Sequence, residues 1–311
     1  MTLDPQVKAF LDYLDAHGVP PMHTLSLEQN RLTLKRTVNR MNIPAQTVAI
    51  IHDRWIRVKD GEIKIRIYSP DGEGPLPMLI YFHGGGFIMG DLNTVDAPLR
   101  ALTNSIPAIV ISVNYRLAPE YKFPTAVKDC YTAITWAFEN AGAFGGDPAR
   151  IAVGGDSAGG NLAAVMSLIT RERGGPSLCA QVLIYPSTDQ LNNYPSHCEF
   201  ADGYFLTLKD IEQIQRYYFV NQEDKANKYA SPLLVEDLSC LPQALVITAG
   251  YDPLRDEGEA YANRLREAGV KVDYFCYAGM IHGFFGMTGI FDQGRTLIEQ
   301  VAKYLKSAFS C

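Results

Sequence analysis

The sequence lacks the features of a membrane protein or a nucleic-acid-binding protein. Of its 311 residues, 28 are Lys or Arg and 34 are Asp or Glu, which gives a net charge of -6. A nucleic-acid partner needs a basic face for its phosphates, and this balance does not favour one. No run of about 20 apolar residues is present to span a bilayer. The charged N-terminus has no signal-peptide core, so we expect a cytoplasmic protein with no membrane partner.

Cysteine is scarce and scattered, which argues against a disulfide framework and against a zinc site. The six cysteines form no CxxC pair and no cluster with histidine at zinc-ligand spacing. A chain of this size also has no need of disulfides to stabilise its core. Three cysteines lie in apolar stretches and are predicted to be small core residues: Cys130, Cys179 and Cys276. We expect a reduced protein with no metal and no cofactor.

The order of strands and helices predicts an α/β fold. A hairpin over 54–59 and 62–68 precedes apolar runs typical of buried strands. These runs are 78–82, 108–113, 151–154, 181–185, 244–248 and 272–277, and helical patterns cover 96–104, 124–140, 158–172, 254–268 and 293–308. Strands that alternate with helices predict a mostly parallel sheet of eight strands, flanked by helices and with the hairpin as an antiparallel edge.

Two segments do not fit this alternation and are predicted to form a helical cap. Helices are expected at 4–16 and 26–40, the second with Ser26 and Gln29 as a capping box. More than fifty residues, rich in Tyr and Phe, separate the fourth and fifth buried strands. The predicted division is cap in 1–50 and 188–230, and α/β core in 51–187 and 231–311.

The segment Gly155–Gly159 reads GDSAG between a predicted strand and a predicted helix. A nucleophilic serine on such a tight turn, here Ser157, needs glycine two residues away on each side because the helix passes close to the strand. The alternative is a glycine-rich turn with an incidental serine. The flanking strand and helix favour the nucleophile.

A second glycine run, His83-Gly84-Gly85-Gly86, follows the strand at 78–82. Consecutive glycines let backbone N–H groups approach a substrate closely, as in an oxyanion hole. A phosphate-binding loop is excluded because the run lacks both the GxGxxG spacing and a following lysine. A sharp strand-to-helix turn is the structural alternative.

Asp252 lies just past the strand at 244–248, so its carboxylate should enter the crevice at the carboxyl ends of the parallel strands. The alternative is a helix N-cap ahead of Pro253. Two nearby carboxylates, Asp256 and Glu257, are predicted to be first-turn charges that the helix dipole favours.

His282 follows the last predicted strand. His83 belongs to the glycine run, and the remaining histidines have no strand-end context: His17, His23, His52 and His197. The chain order Ser157, Asp252, His282, each at a strand end, is the order of an α/β-hydrolase triad.

These motifs resemble those of the hormone-sensitive-lipase-like carboxylesterases (bacterial esterase family IV), which have the α/β-hydrolase fold. The resemblance runs from about Pro77 to the C-terminus, and the first 50 residues and 188–230 match only in placement, as the variable cap. It is carried by YFHGGGF (81–87), YRLAPE (115–120), FPTAV (123–127), GGDSAGGNLAA (154–164), SPL (231–233), DPLRDEG (252–258) and GMIHGF (279–284).

The resemblance implies roles for six residues. Ser157 would be the nucleophile, Asp252 the acid and His282 the base, and the oxyanion donors would be the N–H groups of Gly85, Gly86 and Ala158. The implied activity is hydrolysis of small carboxylic esters with short to medium acyl chains. Amidase or deacetylase activity, arylformamidase activity among them, uses the same triad and stays open. A non-catalytic receptor would have lost a member of the triad, and none is lost here.

The strand at 272–277 is the last in the sequence and is therefore expected at an edge of the sheet. It contains no proline, so it can pair with a second copy. Members of the resembled family often dimerise through this strand, and the resemblance implies a possible homodimer. The alternative is a monomer whose edge is shielded by the final helix or by Lys271 and Asp273.

Overall fold

In the computed structural model, which describes residues 2–310, one eight-stranded sheet runs through the fold in the order β1-β2-β4-β3-β5-β6-β7-β8. The β1–β2 and β2–β4 pairs are antiparallel, and the other pairs are parallel. This confirms the predicted sheet with its antiparallel edge. The strands are β1 (Ile50–Val58), β2 (Gly61–Ser69), β3 (Leu76–Phe82), β4 (Ile109–Asn114), β5 (Gly146–Asp156), β6 (Leu178–Ile184), β7 (Gln243–Tyr251) and β8 (Val272–Ile281).

Helices cover both faces of the sheet. They are α1 (Pro5–Ala16), α2 (Leu27–Met41), α3 (Asp96–Ser105), α4 (Thr125–Asn140), α5 (Ala158–Arg173), α6 (Pro195–Glu199), α7 (Leu208–Tyr218), α8 (Arg255–Glu267) and α9 (Asp292–Ala308). Side chains of a strand alternate between its faces. Accordingly, Met78 and Ile80 pack with α4, α5 and α8, whereas Leu79 and Tyr81 pack with α3 and α9. In the part of the chain that the structure describes, no helix is long and apolar enough to cross a membrane.

The N-terminal segment and the long insertion contact each other. The capping box expected at α2 is present, since Ser26 and Gln29 exchange hydrogen bonds of 2.9 and 3.2 Å. The backbone N–H of His23 donates to the buried carboxylate of Asp210 in α7 at 2.6 Å, and the His23 ring contacts the same oxygen at 2.9 Å. Because Asp210 also caps its own helix, one carboxylate orders both segments.

The N-terminal segment is also joined to the α/β core through Arg31 of α2. Its guanidinium donates to the backbone oxygens of Ile88 and Ala118 at 2.7 and 2.8 Å and pairs with both carboxylate oxygens of Glu120. Ile88 follows the glycine run closely in the chain. The helix thus contacts the segment that carries the predicted oxyanion donors.

Two of the three cysteines predicted to be core residues are not buried. Cys130 in α4 is fully buried, as predicted, but Cys276 is exposed and Cys179 is partly exposed. Cys276 lies on β8, an edge strand whose side chains are mostly open to solvent. Cys179 lies near the start of β6, before the strand becomes buried. An apolar run does not distinguish an edge strand from a central one.

Glu257 is in the first turn of α8 as predicted, but the helix dipole does not account for its position. The residue is only 1% exposed, and its carboxylate accepts a hydrogen bond from the backbone N–H of Thr188 at 2.6 Å. The ring of His197 lies 3.3 Å away, and burial raises the pKa of the Glu257 carboxyl. Its neighbour Asp256 accepts from the backbone N–H of Ser196. Both carboxylates therefore connect α8 to the insertion.

The crossing of α5 over the end of β3 is the tightest packing near the predicted nucleophile. A Cβ atom added to Gly159 would lie 1.9 Å from the backbone oxygen of Phe82. One added to Gly155 would lie 2.3 Å from the carbonyl carbon of Gly159 and 2.6 Å from the same Phe82 oxygen. Real Cβ atoms essentially never approach other atoms so closely, which explains the glycines on both sides of Ser157.

Replacing Gly159 by alanine should therefore prevent this crossing. We expect Gly159→Ala to unfold the protein or to lower its stability by more than about 4 kcal/mol, because backbone rather than a flexible side chain must move. Gly142→Ala is the matched control, since a Cβ there meets nothing within 4 Å. Thermal and urea unfolding followed by circular dichroism measure both variants. A Gly159→Ala protein as stable as Gly142→Ala would contradict the packing described.

Candidate active site

Ser157 lies between β5 and α5 in a strained backbone conformation. Its φ of 56° and ψ of -118° fall in a region that residues other than glycine rarely adopt. Such conformations cost about 1–3 kcal/mol and occur mainly at functional sites. Here the turn brings the serine hydroxyl to the carboxyl edge of the sheet. We call Gly155–Gly159 the nucleophile elbow.

The fold brings Ser157, His282 and Asp252 into one chain of hydrogen bonds. The His282 Nε2 atom is 2.8 Å from the Ser157 Oγ atom, and the His282 Nδ1 atom is 2.7 Å from the Asp252 Oδ2 atom. Asp252 is completely buried, and its Oδ1 atom accepts from the backbone N–H of Leu254 at 2.9 Å. The sequence left open whether Asp252 is a triad member or the N-cap of the following helix. The N-cap of α8 is Leu254, and the Asp252 side chain does not cap the helix.

The glycine run, here called the glycine loop (His83–Gly86), continues from β3 beside the elbow. Gly85 and Gly86 have φ values of 110° and 62°, which favour glycine over residues with a Cβ. The N–H of Gly84 donates to the Oδ1 atom of Asp156 at 3.0 Å. Among the described residues, no hydrogen-bond acceptor is found for the N–H groups of Gly85, Gly86 and Ala158. These three groups are therefore available to bind an anion.

Ala158 contributes a helix N-terminus to this arrangement. It is the first residue of α5, where backbone N–H groups have no partner within the helix. The partial positive charge at a helix N-terminus favours negative charge nearby. An oxyanion formed at a carbon bound to Ser157 would thus lie near these N–H donors and near the positive end of the α5 dipole.

The sequence reasoning missed the side chains that support the glycine loop. The His83 ring stacks on Tyr115 with centroids 4.3 Å apart, and the Tyr115 hydroxyl donates to the His83 carbonyl at 2.7 Å. Burial lowers the pKa of His83 to about 4, so the ring is neutral at physiological pH. On the other side, Asp156 accepts from the Tyr81 hydroxyl at 2.9 Å, and burial raises the pKa of Asp156 to about 6. The position of Asp156 directly before Ser157 was the sequence feature that could have identified it.

The long insertion lies over the site at two points. A Cβ on Gly86 would be 2.7 Å from the Ile214 Cδ1 atom of α7, so this side chain touches the glycine loop. Beside His282, the Phe205 ring lies within 3.6 Å of where a Cβ on Gly283 would be. Phe205 itself has a φ of 71°, unusual for an aromatic residue. The insertion therefore contacts both the glycine loop and the residue that follows His282.

One further feature of the molecule, a cavity, does not belong to this arrangement. A cavity of about 400 Å³ lies between α2 and the β1–β2 hairpin, lined by residues such as Trp55, Lys64 and Tyr121 and by none of the triad residues. Within residues 2–310, no group of three or more His, Cys, Asp or Glu side chains is placed to hold a metal ion.

Comparison with known proteins identifies the fold. A family model described as the α/β hydrolase fold matches residues 79–286. The arylesterase of Saccharolobus solfataricus is 42% identical over 287 residues, which cover 92% of this chain and 93% of that protein.

Solved structures resemble the whole chain. An ester hydrolase from the metagenome of Lake Arreo, complexed with a derivative of bipyridine phosphonate, is 41% identical with a TM-score of 0.96 and covers 100% of both chains. A hyperthermophilic esterase from the archaeon Pyrobaculum calidifontis is 40% identical with a TM-score of 0.94 and covers 99% of both. This chain therefore belongs to the α/β hydrolase family, in its hormone-sensitive-lipase-like branch.

Proposed function

We propose that this chain is a serine carboxylesterase in which Ser157 is the nucleophile, His282 the base and Asp252 the acid. The observation that carries the proposal is the chain of two short hydrogen bonds from Asp252 through His282 to Ser157. The reaction class is supported by relatives named arylesterase and carboxylic ester hydrolase, which are 42% and 41% identical to this chain.

In the acylation step, the Ser157 Oγ atom attacks the ester carbonyl carbon while the His282 Nε2 atom takes its proton. Asp252 accepts from the Nδ1–H group, so the Nε2 atom is the one free to act as base. The carbonyl oxygen becomes an oxyanion that the N–H groups of Gly85, Gly86 and Ala158 stabilise. Asp252 also stabilises the imidazolium that forms.

In the remaining steps His282 returns the proton, and the alcohol and then the acid are released. His282 donates its proton to the leaving alcohol, whose bond to the carbonyl carbon breaks and leaves an acyl group on Ser157. A water molecule then attacks the acyl carbon while His282 takes its proton. When the second tetrahedral intermediate collapses, the bond between the acyl carbon and the Ser157 Oγ atom breaks and His282 returns its proton to Oγ, which releases the carboxylic acid and restores the serine. Residues of this chain carry out every proton transfer.

The surroundings of the triad favour small, uncharged substrates. Ile214 contacts the glycine loop, and Phe205 lies beside the residue that follows His282. Both side chains are apolar and come from the insertion, which we propose acts together with the N-terminal segment as the cap. A short to medium acyl chain fits such an approach.

Replacing the proposed nucleophile tests the mechanism directly. We expect Ser157→Ala to fold normally and to lose about 10⁴-fold or more in kcat with p-nitrophenyl butyrate, because the triad acts as a unit. Ser105→Ala, distant from the triad in the chain and bonded only to the Ala101 carbonyl, is the control. A fluorophosphonate should label Ser157. Substantial activity in Ser157→Ala, or a label on another serine, would refute the assignment, and faster cleavage of the matched anilide would favour an amidase.

The contact between Ile214 and the glycine loop predicts a change in acyl preference. Ile214→Ala should raise the ratio of kcat/KM for octanoate to that for butyrate by about tenfold, because removing the side chain opens space for added methylenes. Glu212→Ala, an exposed residue on the same helix, should leave the ratio unchanged. Matched p-nitrophenyl esters provide the measurement. An unchanged ratio for Ile214→Ala would exclude this side chain from the acyl site.

We also propose that two copies pair through β8. This strand is at the edge of the sheet, and the Phe275 side chain on it is 49% exposed. Light scattering at tens of micromolar should give twice the mass of the chain, and Phe275→Asp should give a monomer because two like charges would face each other across the pair. Val220→Asp, at another exposed apolar residue, is the control and should stay dimeric. A monomeric wild type would refute the pairing.

A further inference from the structure

The side chain of Asp156 joins the nucleophile elbow to the glycine loop. Its Oδ1 atom accepts hydrogen bonds from the backbone N–H of Gly84 at 3.0 Å and from the Tyr81 hydroxyl at 2.9 Å. Asp156 directly precedes Ser157, and Gly84 directly precedes Gly85. One carboxylate oxygen therefore connects a neighbour of the proposed nucleophile to a neighbour of the proposed oxyanion donors.

The loop and the elbow are also in direct contact at this point. A Cβ on Gly84 would lie 2.3 Å from the Oδ2 atom of Asp156 and 3.0 Å from its backbone oxygen. No water can separate surfaces that are this close. Any rotation of the loop that broke the Gly84 hydrogen bond would move the loop away from Asp156 and change the direction of the Gly85 N–H.

We propose that Asp156 is a positioning residue of the oxyanion hole, which fixes the Gly85 and Gly86 N–H groups relative to Ser157 by accepting the Gly84 N–H. The inference rests on the proposed serine mechanism and adds to it a residue outside the triad. Donors of an oxyanion hole act through their preorganised positions, so a displacement of the loop lowers the rate of the chemical step rather than substrate affinity.

The proposed role requires an acceptor at the Oδ1 position and not a negative charge. Both hydrogen bonds end on this atom, and an amide oxygen can accept them as well. A charge would repel the developing oxyanion. Asparagine should therefore replace Asp156 in function, whereas leucine, similar in size but with no acceptor, should not.

A purely structural role for Asp156 predicts that its replacement by asparagine lowers the stability of the protein. The pKa of the buried carboxyl predicts the opposite. Burial raises the pKa of Asp156 from 3.8 to about 6, so the folded state binds more protons than the unfolded state between these values. The stability contributed by this group is present below about pH 4 and lost as pH rises through about 6. At pH 8, Asp156→Asn should thus melt at a higher temperature than the wild type.

The experiment compares kcat, KM and the rate at which a fluorophosphonate labels Ser157, for the wild type, Asp156→Asn and Asp156→Leu at pH 8. Asp156→Leu should lose about 10- to 100-fold in kcat and in labelling rate, with KM within about threefold of the wild type. Asp156→Asn should keep at least about a third of both rates.

Each result decides the proposal. Wild-type rates in Asp156→Leu, or an equal loss in the Asn and Leu variants, would overturn it, as would a loss confined to KM. If Asp156→Leu does not fold by circular dichroism, Asp156→Ala carries the same expectation. A wild type whose Ser157 is not labelled would overturn the proposed function itself, whereas a labelled wild type with an unaffected leucine variant overturns only the role of Asp156.

Discussion

The close approach of α5 to the end of β3 is the constraint on which the site depends. Without a Cβ on Gly159, the helix passes against the backbone oxygen of Phe82, which is the last residue before the glycine loop. The same approach places Ser157 in its strained turn and Asp156 within reach of Gly84. The elbow and the loop are therefore adjacent because two backbones touch, and a larger residue at Gly159 would separate the proposed nucleophile from its oxyanion donors.

The sheet then supplies the remaining parts. Strands β5, β7 and β8 are parallel, so the residues that follow them meet at one edge, where Asp252 contacts His282 and His282 contacts Ser157. The N-terminal segment and the insertion contact each other through His23 and Asp210, and Arg31 joins the N-terminal segment to the core. Because Arg31 binds the Ile88 carbonyl, the proposed cap contacts the chain two residues beyond the glycine loop.

Much of this arrangement could be predicted from the sequence, because it depends on local backbone geometry. The GDSAG and HGGG segments need glycine for close approaches, and strand ends of a parallel sheet point to one crevice. Contacts between distant segments that do not meet at these strand ends could not be predicted. Cys276 looked like a core residue because an apolar run does not reveal an edge, and Glu257 looked like a helix-dipole charge because its partner Thr188 is distant in the chain. Asp156 was not predicted to have a role because its partners, Gly84 and Tyr81, are also distant in the chain.

The most direct test of the central claim, that Ser157 on this elbow attacks the ester carbon, is to trap the acyl-enzyme. Rapid mixing with excess p-nitrophenyl butyrate, an acid quench and peptide mass spectrometry would locate the acyl group. The account predicts a butyryl group on the peptide that contains Ser157, formed as fast as the first equivalent of nitrophenol is released. Ester turnover with that peptide unmodified, or with the acyl group on another residue, would contradict it.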